Sequence, residues 1–305
     1  MKRKYAFVAA MLLFLAVASV VLTNSYVRYE RGGTDDDFTV VTSFYPVYIA
    51  AKNIIGDSKG VTLESLSGPQ TGCMHDYQLT PEDMRMLSAA DVFIVNGGGI
   101  EQFLADTAKQ YPGLTVVTSC EQVQLLEHNA HAWMSVADYM IQVRTIADAL
   151  AALDTENKAS YETNAADYLA KLGELHRDQQ ELAKKYGSHQ NVLIFHEALE
   201  YIARDYGMQV CGGIDLDEER QVSAKETADV LGQIRTQQAR MILAEELYGR
   251  RMCETVQKEA DVEVVYLDTC VRGDEDADSY LKAMRGNLEK MEQALRKTAL
   301  NNTAG

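Results

Sequence analysis

The sequence predicts an α/β protein of two β/α lobes with parallel-type sheets, joined by one long helix. Three observations carry that reading. Short β-branched or apolar runs alternate with helical patterns, as parallel β/α layers require. The runs fall into two groups of four, at 38–44, 61–66, 91–96 and 114–119, then at 191–196, 208–214, 239–245 and 262–268. Between the groups, the 32 residues from Asp154 to Lys185 contain no strand pattern and no proline.

Taken in chain order, the N-terminus stands apart from the fold. Lys2, Arg3 and Lys4 precede an apolar run of 18 residues, Tyr5 to Leu22. A basic stretch ahead of such a run is an export signal, and Ala16-Val17-Ala18 offers a cleavage site. The apolar run continues beyond that site and is just long enough to span a bilayer, so an uncleaved anchor fits as well. The basic residues orient the remainder outward. Arg28 to Asp37 is polar and reads as a tether. With no cysteine before Cys73, the segment offers no position for lipid attachment.

The first lobe is expected at 34–153. Its helices carry start signals: Thr80-Pro81-Glu82-Asp83 is a capping box with proline at the first helical position, and Ser135 to Asp138 repeats that logic. The linking helix is expected at 154–187. Tyr161, Ala165, Tyr168, Leu172, Leu175, Leu182 and Tyr186 recur at helical spacing, with Asp154 as N-cap and Gly187 as stop. Such a helix would be about 48 Å long, the length of a rigid strut. The second lobe is expected at 188–305, with a capping box at Ser223 to Glu226.

Composition narrows the function. Lys and Arg number 29 against 45 Asp and Glu, giving a formal charge of −16. Nucleic acid needs a basic face, so it is excluded as a partner; anionic lipid is disfavoured for the same reason. Without the three basic residues of the first 25, the charge becomes −19. The five cysteines, Cys73, Cys120, Cys211, Cys253 and Cys270, show no CxxC spacing, which speaks against a zinc ribbon. After export they would sit in an oxidising compartment, where an odd number leaves at least one thiol free. Cys253 with Cys270 is the favoured pair, since both fall in the second lobe.

Six histidines remain. His176 is read as a solvated residue on the polar face of the long helix, and His189 as a solvated loop residue. His75, His131 and His196 each follow a strand or precede a capped helix, so all three can project from strand-end loops, where open α/β sheets bind ligands. Singly, each reads as an ordinary histidine. Together, in an exported acidic chain, they point to a metal in the cleft between the lobes, because neutral imidazole is a favoured zinc ligand. Asp268, ending the last strand run, supplies the fourth donor of a tetrahedron. Glu245 also ends a strand and is read as an outer partner of a ligand. Cys73 and Cys270 lie near these residues, but thiolate ligation is not expected in an oxidising compartment.

From about residue 38 to 298 the chain resembles the extracytoplasmic metal-binding proteins of zinc and manganese ABC importers. The resemblance rests on SFYP at 43–46, HDYxLTPED at 75–83 and ADVFIVNGGGIEQFL at 90–104. It continues in HAWMS at 131–135, FHEALEYIARDYGM at 195–208 and YLDT at 266–269. It implies two β/α lobes with little hinge motion, an ABC permease as partner, and metal ligands at His75, His131, His196 and Asp268. Manganese-type members generally have glutamate in the third place, so His196 favours Zn²⁺ over Mn²⁺, with Glu197 beside it. Two departures stand out. The interval between the first two ligands is short and holds only His128 besides them, which reads as a solvated loop residue rather than an accessory ligand. The second-ligand motif usually begins Asp-Pro-His, whereas here it is Asn129-Ala130-His131.

Three functions fit these residues: capture of zinc or manganese for a permease, a zinc hydrolase, and a surface adhesin. A catalytic zinc keeps an open position, which a fourth protein ligand would fill. There is also no HExxH run, since position 200 is Glu rather than His. A monomeric binding protein, not an enzyme, is expected.

Overall fold

The computed structural model describes Met11 and residues 37–303, apart from 73, 75–76, 128, 187–189, 217–220 and 246. The export or anchor segment apart from Met11, together with Cys73, His75, His128 and His189, therefore lies outside the described residues. Among those described, no helix is long and apolar enough to cross a membrane.

All eight expected strands form. The first lobe runs β1 (Phe38–Thr42), α1 (Tyr45–Ile55), β2 (Val61–Ser65), α2 (Pro81–Ala89), β3 (Val92–Val95), α3 (Gln102–Ala108), β4 (Thr115–Thr118). Then come α4 (Val136–Leu153) and the long helix α5 (Lys158–Tyr186). The second lobe runs β5 (Asn191–Ile194), α6 (Leu199–Asp205), β6 (Gln209–Gly213), α7 (Ala224–Gln237), β7 (Met241–Glu245), α8 (Arg250–Glu259), β8 (Glu263–Leu267), α9 (Ser279–Thr303). Each sheet is fully parallel, in the orders β2-β1-β3-β4 and β6-β5-β7-β8. The shared order places one topological switch point in each lobe, between β1 and β3 and between β5 and β7. Loops at the carboxyl ends of strands converge there.

Local signals explain the helix starts. Thr80 Oγ1 accepts from Asp83 N, the Asp83 carboxylate accepts from Thr80 N, and Pro81 fills a position with no amide to satisfy. Ser223 and Glu226 form the second reciprocal box. At Ser135 only half of the motif forms: Ser135 accepts from Asp138 N, while the Asp138 carboxylate is taken by Arg204 at 2.8 Å.

The long helix begins later than expected. Asp154 caps the end of α4, and its carboxylate accepts from Glu156 N and Asn157 N, so the chain turns before α5 starts. Its 29 residues span about 43 Å. The buried stripe is Tyr161, Ala165, Tyr168, Leu172, Leu175, Gln179 and Leu182; Tyr186 is only partly buried. The stripe packs on α4 and α1 from the first lobe and on α9 from the second. His176 is half-buried rather than solvated, with Nδ1 shielded and without a hydrogen-bond partner among the described residues.

One hydrophobic core crosses both lobes, from Val40 to Leu295, and a smaller one lies under α7 and α8. At the crossing, Tyr139 stacks on Tyr280 with ring centroids 3.8 Å apart. Trp133 meets Phe44 edge to face and donates its indole N–H to Thr269 O at 2.9 Å. The Tyr280 hydroxyl donates to Trp133 O at 2.7 Å. Opening the lobes would expose this apolar surface, at about 25 cal/mol per Å², so a wide hinge motion is opposed by the packing itself.

The expected Cys253–Cys270 disulfide is absent: both thiols are free and buried. Cys253 belongs to the small core under α8, whereas Cys270 sits in the shared core, so the two side chains are packed into different clusters.

Candidate metal centre

His131 ends the long connection from β4 to α4. Asn96, just past β3, holds that connection: its amide donates to Ala130 O at 2.9 Å, and Gln142 donates to its Oδ1 at 2.8 Å. Gly98 makes room for the approach. Its φ is +70°, and a Cβ there would lie 2.9 Å from Ala130 Cβ. Held this way, His131 is fully buried. Its ring Nδ1 faces Asn129 Oδ1 at 3.0 Å and Glu197 Oε1 at 3.4 Å. Both are acceptors, so Nδ1 carries the hydrogen and Nε2 is the ring's lone-pair atom.

His196 follows β5 at the second switch point and is 2% exposed. Its ring meets that of His131 edge to face, with centroids 5.2 Å apart. The Ala198 N–H donates to His196 Nδ1 at 3.0 Å. The neutral ring therefore holds its hydrogen on Nε2, which faces Glu245 Oε2 at 3.9 Å. Presenting Nε2 to a cation moves that hydrogen or turns the ring.

Glu245, the last residue of β7, is 4% exposed and accepts from the Thr269 hydroxyl at 2.8 Å. Asp268 directly follows β8 and is half-buried. Asn287 of α9 brackets its backbone, accepting from Asp268 N and donating to Asp268 O, both at 2.8 Å. The Asp268 carboxylate accepts from Cys270 N at 2.7 Å, a turn that puts Cys270 at φ +57°. Burial pushes the Cys270 thiol far above its ordinary range, which disfavours thiolate there.

Asp268, Glu245, Thr269, Gln70 and Arg272 line a cleft of about 300 Å³. A larger cavity of about 580 Å³ is walled by Arg250 and Arg251 and holds none of the candidate ligands. The structure thus brings His131 and His196 together, with Glu245 beside His196 and Asp268 one residue from the Thr269 that anchors Glu245. Among the described residues, no three His, Cys, Asp or Glu side chains form a complete metal-holding group. His75 lies outside them.

Sequence reasoning underrated two residues. Asn129 was visible only as a departure from a motif, yet it orients His131. Asn287 sits between Met284 and Met291 in the buried stripe of α9; a polar residue in an apolar stripe is the signal that could have found it.

Comparison with known proteins agrees with this architecture. The family profile "ZnuA: Zinc-uptake complex component A periplasmic" matches residues 40–294. The iron-binding protein YfeA of Yersinia pestis is 27% identical over 86% of this chain and 87% of its own length. The manganese ABC transporter substrate-binding lipoprotein PsaA of Streptococcus pneumoniae is also 27% identical, over 93% of this chain and 97% of its own. The Mn²⁺ complex of the binding protein FpvC from Pseudomonas aeruginosa superposes with a TM-score of 0.76 at 25% identity, covering 86% of this chain and 99% of that one. The profile covers well over half of the chain, so the chain belongs to the zinc-uptake complex component A family, the metal-binding, extracytoplasmic substrate-binding components of ABC importers, which are not enzymes.

Proposed function

We propose that the chain captures Zn²⁺ outside the cytoplasmic membrane and hands it to the membrane subunits of an ABC permease, binding the ion with His75, His131, His196 and Asp268. The observation that carries this reading is the buried edge-to-face pair of His131 and His196, one from each lobe. Three imidazoles and one carboxylate form a nitrogen-rich set, which suits zinc better than manganese. One carboxylate would leave a dication site at a net +1, and a chain of formal charge −16 favours the approach of cations.

Mn²⁺ is the second reading. Glu245 beside His196 and Glu197 beside His131 offer further oxygen donors, which suit manganese. The relatives above are named for iron and manganese. Competitive titration of the purified protein with Zn²⁺ and Mn²⁺, with metal analysis of the product, separates the two. One tightly held zinc per chain that manganese cannot displace is expected; preferential manganese loading would sink the zinc assignment.

The same reading places residues 2–22 as the export signal or anchor, the lobes at 34–153 and 188–305 with the helix between them, and the working form as a monomer.

A further inference from the structure

We propose that Asn129 is a positioning residue that fixes the tautomer of His131 by borrowing its own orientation from the opposite lobe. The inference rests on His131 being a metal ligand.

The side-chain amide of Asn129 has its two ends assigned by its neighbours. Nδ2 donates to Glu197 O at 2.9 Å and to Glu200 Oε2 at 3.0 Å, both from the second lobe. Neither partner can donate, so the amide nitrogen must face them. Oδ1 is thereby turned to His131, where it accepts from the backbone N at 3.1 Å and faces ring Nδ1 at 3.0 Å. An amide oxygen only accepts, so the ring hydrogen is held on Nδ1 and Nε2 is left as the donor atom toward a cation. The main chain at this point is tied across the lobes as well. The Tyr201 hydroxyl donates to Asn129 O at 2.8 Å and accepts from Leu126 N at 3.1 Å. Asn129 is 3% exposed, so water does not compete for these bonds.

The arrangement explains why an amide stands here. A carboxylate at 129 would still accept from His131, but it would face the Glu200 carboxylate and the Glu197 carbonyl with no hydrogen to give. Charge repulsion would then push the two lobes apart at the ligand. Glu200 and Asn129 therefore form a matched pair: changing Asn129 to Asp is tolerated when Glu200 becomes a donor.

The test uses four variants: Asn129→Ala, Asn129→Asp, Asn129→Asp with Glu200→Gln, and His131→Ala. Zinc affinity is read by competition with a chromophoric chelator. The His131 tautomer is read from its two ring ¹⁵N shifts in the metal-free protein, and circular dichroism checks the fold. Asn129→Ala leaves only the Glu197 carboxylate, 3.4 Å away, facing Nδ1; it should loosen the Nδ1–H preference and weaken zinc binding by roughly 10- to 100-fold, the usual cost of losing a ligand's outer partner. Asn129→Asp alone should keep the Nδ1–H tautomer yet bind more weakly. Adding Glu200→Gln should restore most of the lost binding, though not all of it because the Glu197 carbonyl stays without a donor; a merely structural role would produce no such rescue. An unchanged tautomer and affinity in Asn129→Ala, or no rescue in the double variant, overturns the proposal. If His131→Ala itself binds zinc normally, the ligand assignment fails instead, which keeps the two failures apart.

Discussion

The rings of His131 and His196 meet edge to face at 5.2 Å, although one follows the last strand of the first sheet and the other the first strand of the second. A site assembled this way depends on both lobes at once. His131→Ala and His196→Ala should each remove more zinc affinity than the roughly 10- to 100-fold that an outer partner contributes. Chelator competition on the two variants measures it. Near-wild-type binding by either would remove that histidine from the ligand set.

Zinc capture through His196 should leave a mark on the backbone. The Ala198 N–H is spent on His196 Nδ1 at 3.0 Å. Coordination through Nε2 puts the ring hydrogen on Nδ1, so two donors would face each other and the bond must break. The Ala198 amide resonance should therefore shift on zinc addition, and its hydrogen exchange should quicken. An Ala198 amide that is unchanged at full zinc loading would mean that His196 does not coordinate through Nε2.

Much of this was readable in the sequence because the signals were local. Eight strands showed as β-branched runs, and two capping boxes as pairs of residues three apart. What could not be read depended on distant partners. Asp138 looks like the second half of a capping box until Arg204 claims it from 66 residues away. Asp154 looks equally fit to start one helix or end another, and only the turn it accepts from Glu156 and Asn157 decides. Cys253 and Cys270 share a lobe but not a core, a division no spacing records. At the site, the strand ends that present His196 and Asp268 were legible, as was the loop before a capped helix that carries His131. The amide that orients His131 takes its orientation from the other lobe, so it was not.

Trp133 gives the interlobe contact a direct readout. It is the sole tryptophan, fully buried, with its ring centroid 4.9 Å from that of His131. Zinc binding should alter its fluorescence. Trp133→Phe should abolish that signal without removing a ligand, and should destabilise the fold, because Thr269 O loses its donor. An orphaned buried carbonyl costs about 1–3 kcal/mol, and the smaller ring leaves a cavity that adds to it. Urea unfolding measures the loss. A Trp133→Phe protein as stable as wild type would argue against the interlobe bond.

Glu101 supplies a pH dependence that is separate from the metal. Its carboxylate accepts from Ser43 Oγ at 2.9 Å, Asn96 N at 2.6 Å and Gly97 N at 3.1 Å. Those donors favour the ionised form, but burial opposes it more strongly and raises the carboxyl to about 7, from an ordinary 4.5. Between those two values the unfolded chain has released the proton and the folded chain still holds it. The folded state binds more protons, so stability falls as pH rises through that window and is flat on either side. The full change is on the order of 3 kcal/mol. Glu101→Gln cannot ionise and should lack this slope. The stability of wild type relative to Glu101→Gln, measured by denaturant unfolding with chelator present, should therefore be greatest at the acid end of the window and shrink toward its upper end. Subtracting the variant cancels every other titrating group, including the histidines of the site. A difference that stays constant across the window would mean that Glu101 has the same charge in the folded and unfolded chain, and that its three donors outweigh its burial.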